Sequence, residues 1–447
     1  MRTRLGLCGV APYTGKGCTE PLWQTVTPAG VDFPQLVGTI KTDVLIIGAG
    51  FTGLSAAMML RQQGVEATIL EAQEPGAGAS GRNSGLVIPT LTRPDPDDII
   101  RNYGASGERF VALLRDCADG LFEIASTFGL DRQAEQSGWL QPAHTPGRMV
   151  LIERRAAQWR KWGARVEVLD RGQTRHAIGS EMWFGGLLNN SGGIVNPLAL
   201  VRAMAKATSD AGGRIYAQTP ALSLDREADC WHVTTTRGEV RAKSLIVATN
   251  AYTDAISKTL LPDVAREIVP VTSWLAATEP LPETVRRSIL PTRLAMSDTR
   301  GDLHFARYDA DHRLISGGAV VNPVDRPSRL KLLISSRLER MWPQTRGLKI
   351  EFVWNGRIGM TPDRFPRFHS IGPNAFAWAG CNGRAVALSI AVGRELAKAS
   401  IGVPLEKIAL PFSSPAPLLA QTFIRWVSPL ALLHYRRIDA KEYERSS

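Results

Sequence analysis

The stretch VLIIGAGFTGL, residues 44–54, decides the fold of this 447-residue chain. Its four leading apolar residues predict a short strand that is buried on both faces of a parallel sheet. Three glycines follow, and apolar residues at helical spacing from Leu54 to Arg61 predict a helix that stops at Gly64. Residues 65–70 predict a second strand. Together these elements make a βαβ unit of roughly thirty residues.

The glycine spacing in this unit suits a bound dinucleotide. Gly48 permits the tight turn, Gly50 lets a pyrophosphate approach the backbone, and Gly53 lets the helix pack closely on the strand. Glu71 ends the second strand, twenty-one residues after Gly50, where a carboxylate can accept hydrogen bonds from an adenosine ribose. The pattern predicts a dinucleotide site, against the alternative of a glycine-rich turn that binds nothing.

Two more glycine-rich segments favour FAD over NAD. Residues 76–85, GAGASGRNSG, could follow an extended diphosphate and ribityl chain; the alternative is a flexible surface loop. Residues 380–385, GCNGRA, precede a predicted helix that runs to about Ala399. The amino terminus of that helix could face the electron-rich end of a reduced flavin. Contacts from segments near both ends of the chain suit FAD better than NAD.

The composition excludes several classes of protein. Hydrophobic residues make up 44% of the chain and charged residues 21%, which excludes a mainly disordered or fibrous protein. The net charge of +11 comes from basic residues that are spread along the chain, so we expect no nucleic-acid partner. The five cysteines are odd in number and include no C-x-x-C pair, which predicts a reducing cytoplasm and no metal site.

The two ends of the chain carry weaker signals. The first 36 residues predict an arm, with regular structure starting at Asp43, and their weakly apolar start is short for an export signal. The most apolar window, residues 44–60, is interrupted by glycines, so we expect no stable membrane insertion. The apolar residues 418–433 are expected to cover the core. The oligomeric state stays open.

Several motifs in a fixed order carry a resemblance that spans residues 21–439. They are residues 48–54 with Glu71, 78–85, 195–197, 248–252, Arg307 with 313–318, 354–363, 380–383 and 393–397. In these motifs the chain resembles the D-amino-acid oxidase family of FAD-dependent amine and amino-acid oxidoreductases, and most closely its gamma-glutamylputrescine oxidase-like branch.

The resemblance implies an α/β fold with two domains. One is a Rossmann-like FAD-binding domain, and the other is an α+β substrate domain with a discontinuous antiparallel sheet. The implied boundaries are an amino-terminal arm at 1–36, an FAD-binding domain at 37–90, 190–255 and 352–403, a substrate domain at 91–189 and 256–351, and a carboxyl-terminal tail at 404–447.

The resemblance also implies which residues hold FAD. Gly48, Gly50 and Gly53 would hold the diphosphate and Glu71 the ribose, with Ser80, Arg82 and Asn83 along the ribityl chain and flavin edge. A strand containing Ala221 would contact adenine, and Gly383 with Arg384 would cap the pyrimidine end of the ring. The full predicted cofactor set is Gly48, Gly50, Phe51, Thr52, Gly53, Glu71, Ala72, Ser80, Arg82, Asn83, Ser84, Gly85, Ala221, Ala248, Thr249, Asn250, Gly356, Gly380, Gly383 and Arg384.

Three departures from the family pattern refine these expectations. Ile358 stands where amino-acid oxidases of the family commonly place an arginine for the substrate carboxylate, so a simple D-amino acid is a less favoured substrate. Gly356 stands where some sarcosine-oxidase-like relatives attach flavin through a cysteine, so non-covalent FAD is expected. Ala385 stands where a glycine is common at the flavin.

Two residues are predicted substrate contacts. Arg307 is the first, because residues 303–308 predict a strand that would roof the flavin; the alternative is a solvated residue paired with Asp309 or Asp311. Trp274 could form an aromatic wall, with core packing as the favoured alternative.

The predicted function is oxidation of a C–N bond in an amine or amino-acid derivative to an imine, with hydride transfer to flavin. A gamma-glutamyl amine, a polyamine or an opine-like amine would be the small-molecule substrate, and O2 or another acceptor would reoxidise the flavin. One alternative is a dehydrogenase for D-amino or secondary amino acids that uses a quinone or protein acceptor. Another is a flavin-binding structural or regulatory protein without turnover.

Overall fold

The computed structural model describes residues 18–322 and 324–444. The helices in this part of the chain are α1 (Leu22–Val26), α2 (Phe51–Gln62), α3 (Pro96–Tyr103), α4 (Ala105–Thr127), α5 (Met149–Lys161), α6 (Arg171–Ile178), α7 (Pro197–Asp210), α8 (Thr253–Ile256), α9 (Pro262–Arg266), α10 (Glu283–Arg286), α11 (Arg326–Met341), α12 (Val386–Ser400) and α13 (Gln421–Glu444).

The strands form three sheets. They are β1 (Gly38–Ile47), β2 (Ala67–Leu70), β3 (Leu86–Val87), β4 (Ala134–Glu135), β5 (Trp139–Pro142), β6 (Val166–Leu169), β7 (Gly186–Asn189), β8 (Gly193–Val195), β9 (Arg214–Tyr216), β10 (Ser223–Glu227), β11 (Cys230–Thr234), β12 (Gly238–Val247), β13 (Val269–Pro280), β14 (Ala295–Ser297), β15 (Phe305–Tyr308), β16 (Arg313–Gly318), β17 (Ile350–Met360), β18 (Arg367–Gly372), β19 (Ala375–Ala379) and β20 (Phe412–Ser413).

The first sheet has the order β20-β18-β19-β12-β1-β2-β9, with β11 and then β10 attached beside β12. Its centre, from β19 to β9, is parallel, which confirms the predicted Rossmann-like unit. The strands β1 and β2 are joined through α2, as the glycine motif predicted. Because the centre of the sheet is covered on both faces, its strands carry near-continuous apolar residues such as 44–47.

The second sheet has the order β17-β13-β16-β15-β14-β5-β7-β6. All its pairings are antiparallel except that of β14 with β5, so the antiparallel substrate sheet is present. The predicted boundary between residues 351 and 352 falls inside β17, which pairs with β13 along nearly its whole length. A small third sheet has the order β3-β8-β4. In the sequence, its strands lie between strands of the two large sheets.

Regular structure begins earlier than Asp43. The strand β1 starts at Gly38, and the helix α1 precedes it within the predicted arm. Leu22 and Trp23 of α1 are fully buried among apolar side chains that include Trp354. The apolar pair on α1 anchors this part of the arm to the body of the protein; residues 1–17 of the predicted arm lie outside the described residues.

Among the described residues, no helix is both long and apolar enough to cross a bilayer. The same residues contain no group of three or more His, Cys, Asp and Glu side chains placed to hold a metal ion.

Candidate functional site

A cavity of about 900 Å³ lies between the two large sheets. On one side it is lined by residues that follow the parallel strands β1, β2 and β12, namely Gly48, Glu71 and Ala248. On the other side it is lined by Leu275 of β13 and Gly356 of β17. Ligands of parallel α/β sheets bind at the carboxyl ends of the strands, and this volume is near the upper end for small-molecule sites.

The glycine turn shapes the first end of the cavity. Gly48 has a φ of +107°, a conformation that a side chain would strain. A Cβ on Gly53 would lie 1.9 Å from the carbonyl oxygen of Gly48, so only glycine allows α2 to approach the turn. The helix α2 begins after Gly50 without a side-chain cap, and its first residues line the cavity. Its amino terminus is therefore available to a diphosphate.

The Glu71 carboxylate is held in place beside this turn. Its Oε2 accepts a hydrogen bond from the Ala49 backbone N–H at 2.8 Å, and its Oε1 accepts one from Gln73 at 3.0 Å. Burial raises the pKa of Glu71, and the backbone donors act in the opposite direction. The carboxylate also lines the cavity, where it can accept hydrogen bonds from a ribose.

The segment 78–85 is an ordered wall rather than a flexible loop. The Ser80 hydroxyl accepts a hydrogen bond from the Phe51 N–H at 3.0 Å, and the Asn83 amide donates to the Ser80 carbonyl at 2.9 Å. Arg82 Nε donates to the Asn355 carbonyl at 2.7 Å, which ties the segment to β17. Burial lowers the pKa of Arg82. The segment therefore joins the two sides of the cavity.

The far end of the cavity is lined by residues 381–386. Gly383 has a φ of +77°, and Arg384 donates to the Leu91 carbonyl at 3.2 Å while stacking on Trp139 at 5.0 Å. Burial lowers the pKa of Arg384 to about 9, which leaves the guanidinium charged at neutral pH. The helix α12 begins at Val386 without a side-chain cap, and its first residue lines the cavity. A guanidinium and a helix amino terminus together can stabilise negative charge on a flavin ring.

Most of the predicted cofactor set lines this single cavity, and the residues present fit FAD from its diphosphate end to its flavin end. The residues that line it are Gly48, Gly50, Phe51, Thr52, Glu71, Ala72, Ser80, Arg82, Asn83, Ser84, Ala248, Thr249, Asn250, Gly356, Gly383 and Arg384.

Four predicted residues do not line the cavity. Gly53 and Gly85 lie behind the lining residues and allow close backbone packing there. A Cβ on Gly85 would lie 2.0 Å from the Val195 carbonyl oxygen. Gly380 has a φ of +78° in the loop before α12. Ala221 is buried in a separate apolar cluster and lies between β9 and β10, so the predicted strand there is wrong. The chain leaves the sheet after Tyr216, and Gln218 adopts a φ of +51°.

Arg307 lies outside the main cavity and is fully buried. Its Nη1 donates to the Val195 carbonyl at 3.2 Å, and its guanidinium stacks on Trp23 at 5.0 Å. It lines a separate cavity of about 220 Å³, while Phe305 on the same strand lines the main one. Arg307 therefore lies neither at the predicted substrate contact nor in a solvated position, because α1 covers its side chain.

We expect Arg307→Met to leave the KM of the substrate within about twofold of wild type, since only a lost substrate contact raises KM selectively. Steady-state kinetics on flavin-loaded protein measure this directly. A tenfold rise in KM with an unchanged melting temperature would contradict the placement of Arg307 outside the site.

Trp274 is also buried away from the cavity. It is 1% exposed and packs in the apolar cluster that contains Tyr308 and Leu330. Its neighbours in β13, Ser273 and Leu275, line the cavity. Because side chains alternate along a strand, Trp274 faces the opposite side and packs in the core.

Most of the arginines that line the cavity were not predicted from the sequence. Of the residues that the structure describes, nine arginines and no lysine line the cavity, against the three acids Glu71, Asp298 and Asp439. They come from segments spread over just over 300 residues, and apart from Arg82 and Arg384, which lie in the predicted cofactor motifs, no local motif marks them. The nine are Arg82, Arg93, Arg148, Arg154, Arg155, Arg300, Arg357, Arg364 and Arg384.

Several of these arginines have acidic partners. Arg155 pairs with Asp95 at 2.6 Å and Arg148 with Glu442 at 2.7 Å. Arg300 pairs with Asp298. Even with these pairs, the side chains that face the cavity carry an excess of positive charge, which favours a ligand with negative charge.

Known proteins resemble this chain over most of its length. The Escherichia coli K12 protein "Gamma-glutamylputrescine oxidoreductase" is 31% identical over 368 residues, which cover 82% of this chain and 85% of that protein. The Haemophilus influenzae protein "Probable oxidoreductase OrdL" is 30% identical, with 83% of this chain and 85% of that protein covered. The crystal structure of glycine oxidase from Geobacillus kaustophilus matches with a TM-score of 0.67 at 19% identity, over 81% of this chain and 95% of that chain. This last likeness shows the fold alone.

The family profile described as "DAO: FAD dependent oxidoreductase" matches residues 43–399. These residues include the glycine turn, both large sheets and α12. The predicted family and the predicted enzyme class are confirmed. This chain therefore belongs to the DAO family of FAD dependent oxidoreductases, and within it resembles the gamma-glutamylputrescine oxidoreductase branch.

Proposed function

We propose that this protein oxidises the C–N bond of an amine that also carries a carboxylate, such as a gamma-glutamyl amine or an opine-like secondary amine. The observation that carries the proposal is the cavity itself, which joins the FAD-binding residues to seven further arginines and two further acids, Asp298 and Asp439, among the described residues. The E. coli relative named for gamma-glutamylputrescine supports the same class of substrate. A free polyamine, which carries only positive charge, is disfavoured by this lining.

FAD, when bound, supplies the acceptor for the hydride that leaves the substrate carbon. The residues of the chain prepare the substrate for that loss. Nearby guanidinium groups disfavour an ammonium ion and so lower the pKa of the substrate amine, which must be neutral to release a hydride. The apolar side chains of Leu275, Ile358 and Met360 exclude water from their part of the cavity. The imine product then hydrolyses in water.

Position 358, an isoleucine, offers no arginine to a substrate carboxylate. Ile358 lines the cavity on β17 and is apolar, so it offers no hydrogen bond to an anion. A simple D-amino acid, whose carboxylate is attached to the reacting carbon, is therefore a poorer substrate than an amine whose carboxylate binds elsewhere in the cavity.

We expect the FAD to be released when the protein is precipitated with acid. Gly356 offers no nucleophile, and burial raises the pKa of the Cys381 thiol, the one cysteine among the described residues that lines the cavity. Absorbance of the supernatant after precipitation measures this release. Flavin that stays in the pellet would show a covalent link.

A panel of amines under anaerobic conditions tests the proposed reaction. We expect gamma-glutamylputrescine and opine-type amines to bleach the flavin, and putrescine and D-alanine at the same concentration to do so at least tenfold more slowly. Rapid recolouring in air with peroxide release identifies an oxidase, and slow recovery identifies a dehydrogenase with another acceptor. A flavin that no amine bleaches would indicate a flavin-binding protein without turnover. The cytoplasmic location expected from the cysteines stays a prediction.

A further inference from the structure

The carboxyl-terminal helix α13 forms one wall of the cavity. Tyr435, Ile438 and Asp439 all line it. Residues three and four apart lie on one face of a helix, so these three side chains share the face that α13 turns toward the site. The family match ends at residue 399 and does not include this helix.

Charged groups fasten this face of α13 to the body of the protein. The Asp439 carboxylate accepts hydrogen bonds from the backbone N–H groups of Gly301 at 3.0 Å and Asp302 at 3.2 Å. Arg436 Nε donates to the Asp302 carboxylate at 2.6 Å. Glu442 accepts two hydrogen bonds from Arg148, at 2.8 and 2.7 Å. Charge-assisted and bidentate bonds of this kind fix orientation as well as position.

Two arginines, Arg93 and Arg364, line the cavity together with Tyr435. The guanidinium carbon of Arg93 lies over the Tyr435 ring, 5.2 Å from the ring centroid. Although burial acts to raise it, the nearby positive charges of Arg93 and Arg364 hold the pKa of Tyr435 below its usual value. Arg364 adopts a φ of +67°, a strained conformation for a residue with a side chain, and lines the cavity.

Among the described residues, neither guanidinium has an acidic partner. Within residues 18–322 and 324–444, no carboxylate forms an ion pair with Arg93 or Arg364, whereas Arg148, Arg155 and Arg300 are each paired. Two unpaired positive charges that line one cavity repel each other, and an anion placed between them removes that cost. Arg93 is exposed as well as lining the cavity, so the pair lies at the rim.

We propose that Arg93, Arg364 and Tyr435 bind the substrate carboxylate, and that α13 thereby selects amines that bear a carboxylate away from the reacting carbon. This inference rests on the proposed function, because it assigns the anionic end of the substrate in that reaction. The geometry supplies two guanidinium donors and one hydroxyl, which matches the acceptor capacity of a carboxylate.

The test compares Arg93→Met, Arg364→Met and Tyr435→Phe with Arg437→Met, a matched charge removal at an exposed position of the same helix. Kinetics use gamma-glutamylputrescine and its methyl ester, in which the carboxylate is neutral. Calorimetry on the holoprotein uses glutarate, a carboxylate that cannot be oxidised at a C–N bond.

Each arginine variant should raise the KM of the acid by about tenfold or more and leave kcat nearly unchanged, because a hydrogen bond to a charged group is lost. Its KM for the ester should match that of wild type, and Tyr435→Phe should show a smaller effect of about threefold. The Kd of glutarate should rise in parallel, and Arg437→Met should match wild type throughout. Equal losses for acid and ester, or unchanged glutarate binding, would overturn the inference.

The two proposals fail separately in this experiment. If no amine bleaches the wild-type flavin but glutarate binds and the arginine variants lose it, the anion site stands and the proposed reaction fails. If amines bleach the flavin and the arginine variants retain the wild-type KM, the reaction stands and the anion site fails.

Discussion

Replacing Gly53 with valine is expected to abolish FAD retention. A Cβ at this position would lie 1.9 Å from the Gly48 carbonyl oxygen and 3.1 Å from Ile46 Cγ2. No rotamer relieves the first contact, because the Cβ itself is the clashing atom. The helix α2 must then move away from the turn, and its amino terminus no longer faces the diphosphate.

The ratio of flavin to protein after purification measures this effect, and circular dichroism reports whether the variant still folds. Gly147→Val is the control, since a Cβ on Gly147 meets no atom within 4 Å. A Gly53→Val protein that retains one flavin per chain would contradict the role of this close approach. If the valine variant fails to fold, Gly53→Ala provides a second test, because it keeps the 1.9 Å contact with the Gly48 carbonyl oxygen but adds no further side-chain atoms.

The second large effect is expected from Arg155→Met. Arg155 Nε lies 2.6 Å from the Asp95 carboxylate, and its Nη1 donates to Gln141 at 2.6 Å. The two charged side chains are only 4% and 1% exposed. Removing the guanidinium leaves a buried carboxylate without a counter-charge, which costs about 3–5 kcal/mol of unfolding free energy.

Urea unfolding of the holoprotein measures this loss. Lys161→Met, an exposed charge removal on the same helix, should stay within about 0.5 kcal/mol of wild type. The double variant Asp95→Asn with Arg155→Met should recover part of the loss, because no buried charge then lacks a partner. A loss below about 1 kcal/mol in Arg155→Met would contradict a buried, energetically coupled pair.

The cofactor end of the site could be predicted because its chemistry is local. Gly48, Gly50, Gly53 and Glu71 fall within two dozen residues, and the turn, the helix start and the strand end follow from that spacing alone. The structure brings the resulting βαβ unit to the centre of a parallel sheet. A helix amino terminus and a carboxylate then meet in one cavity, as the motif requires.

The substrate end depends on contacts between distant segments, and there the sequence misled. Arg307 has the residue type and strand position of a substrate contact, but Trp23 from the predicted arm covers it. Trp274 lies between two residues of β13 that line the cavity. Because neighbouring side chains of a strand face opposite sides, Trp274 packs in the core instead. Arg93 and Tyr435 are more than 340 residues apart and share no motif.

An anaerobic titration of the purified protein with gamma-glutamylputrescine tests the central claim most directly. The account predicts that the protein carries FAD, that about one equivalent of substrate per flavin removes its visible absorbance, and that putrescine at the same concentration leaves it at least tenfold less reduced. A protein purified without flavin, or a flavin that carboxylate-bearing amines leave oxidised while putrescine bleaches it, would contradict the account.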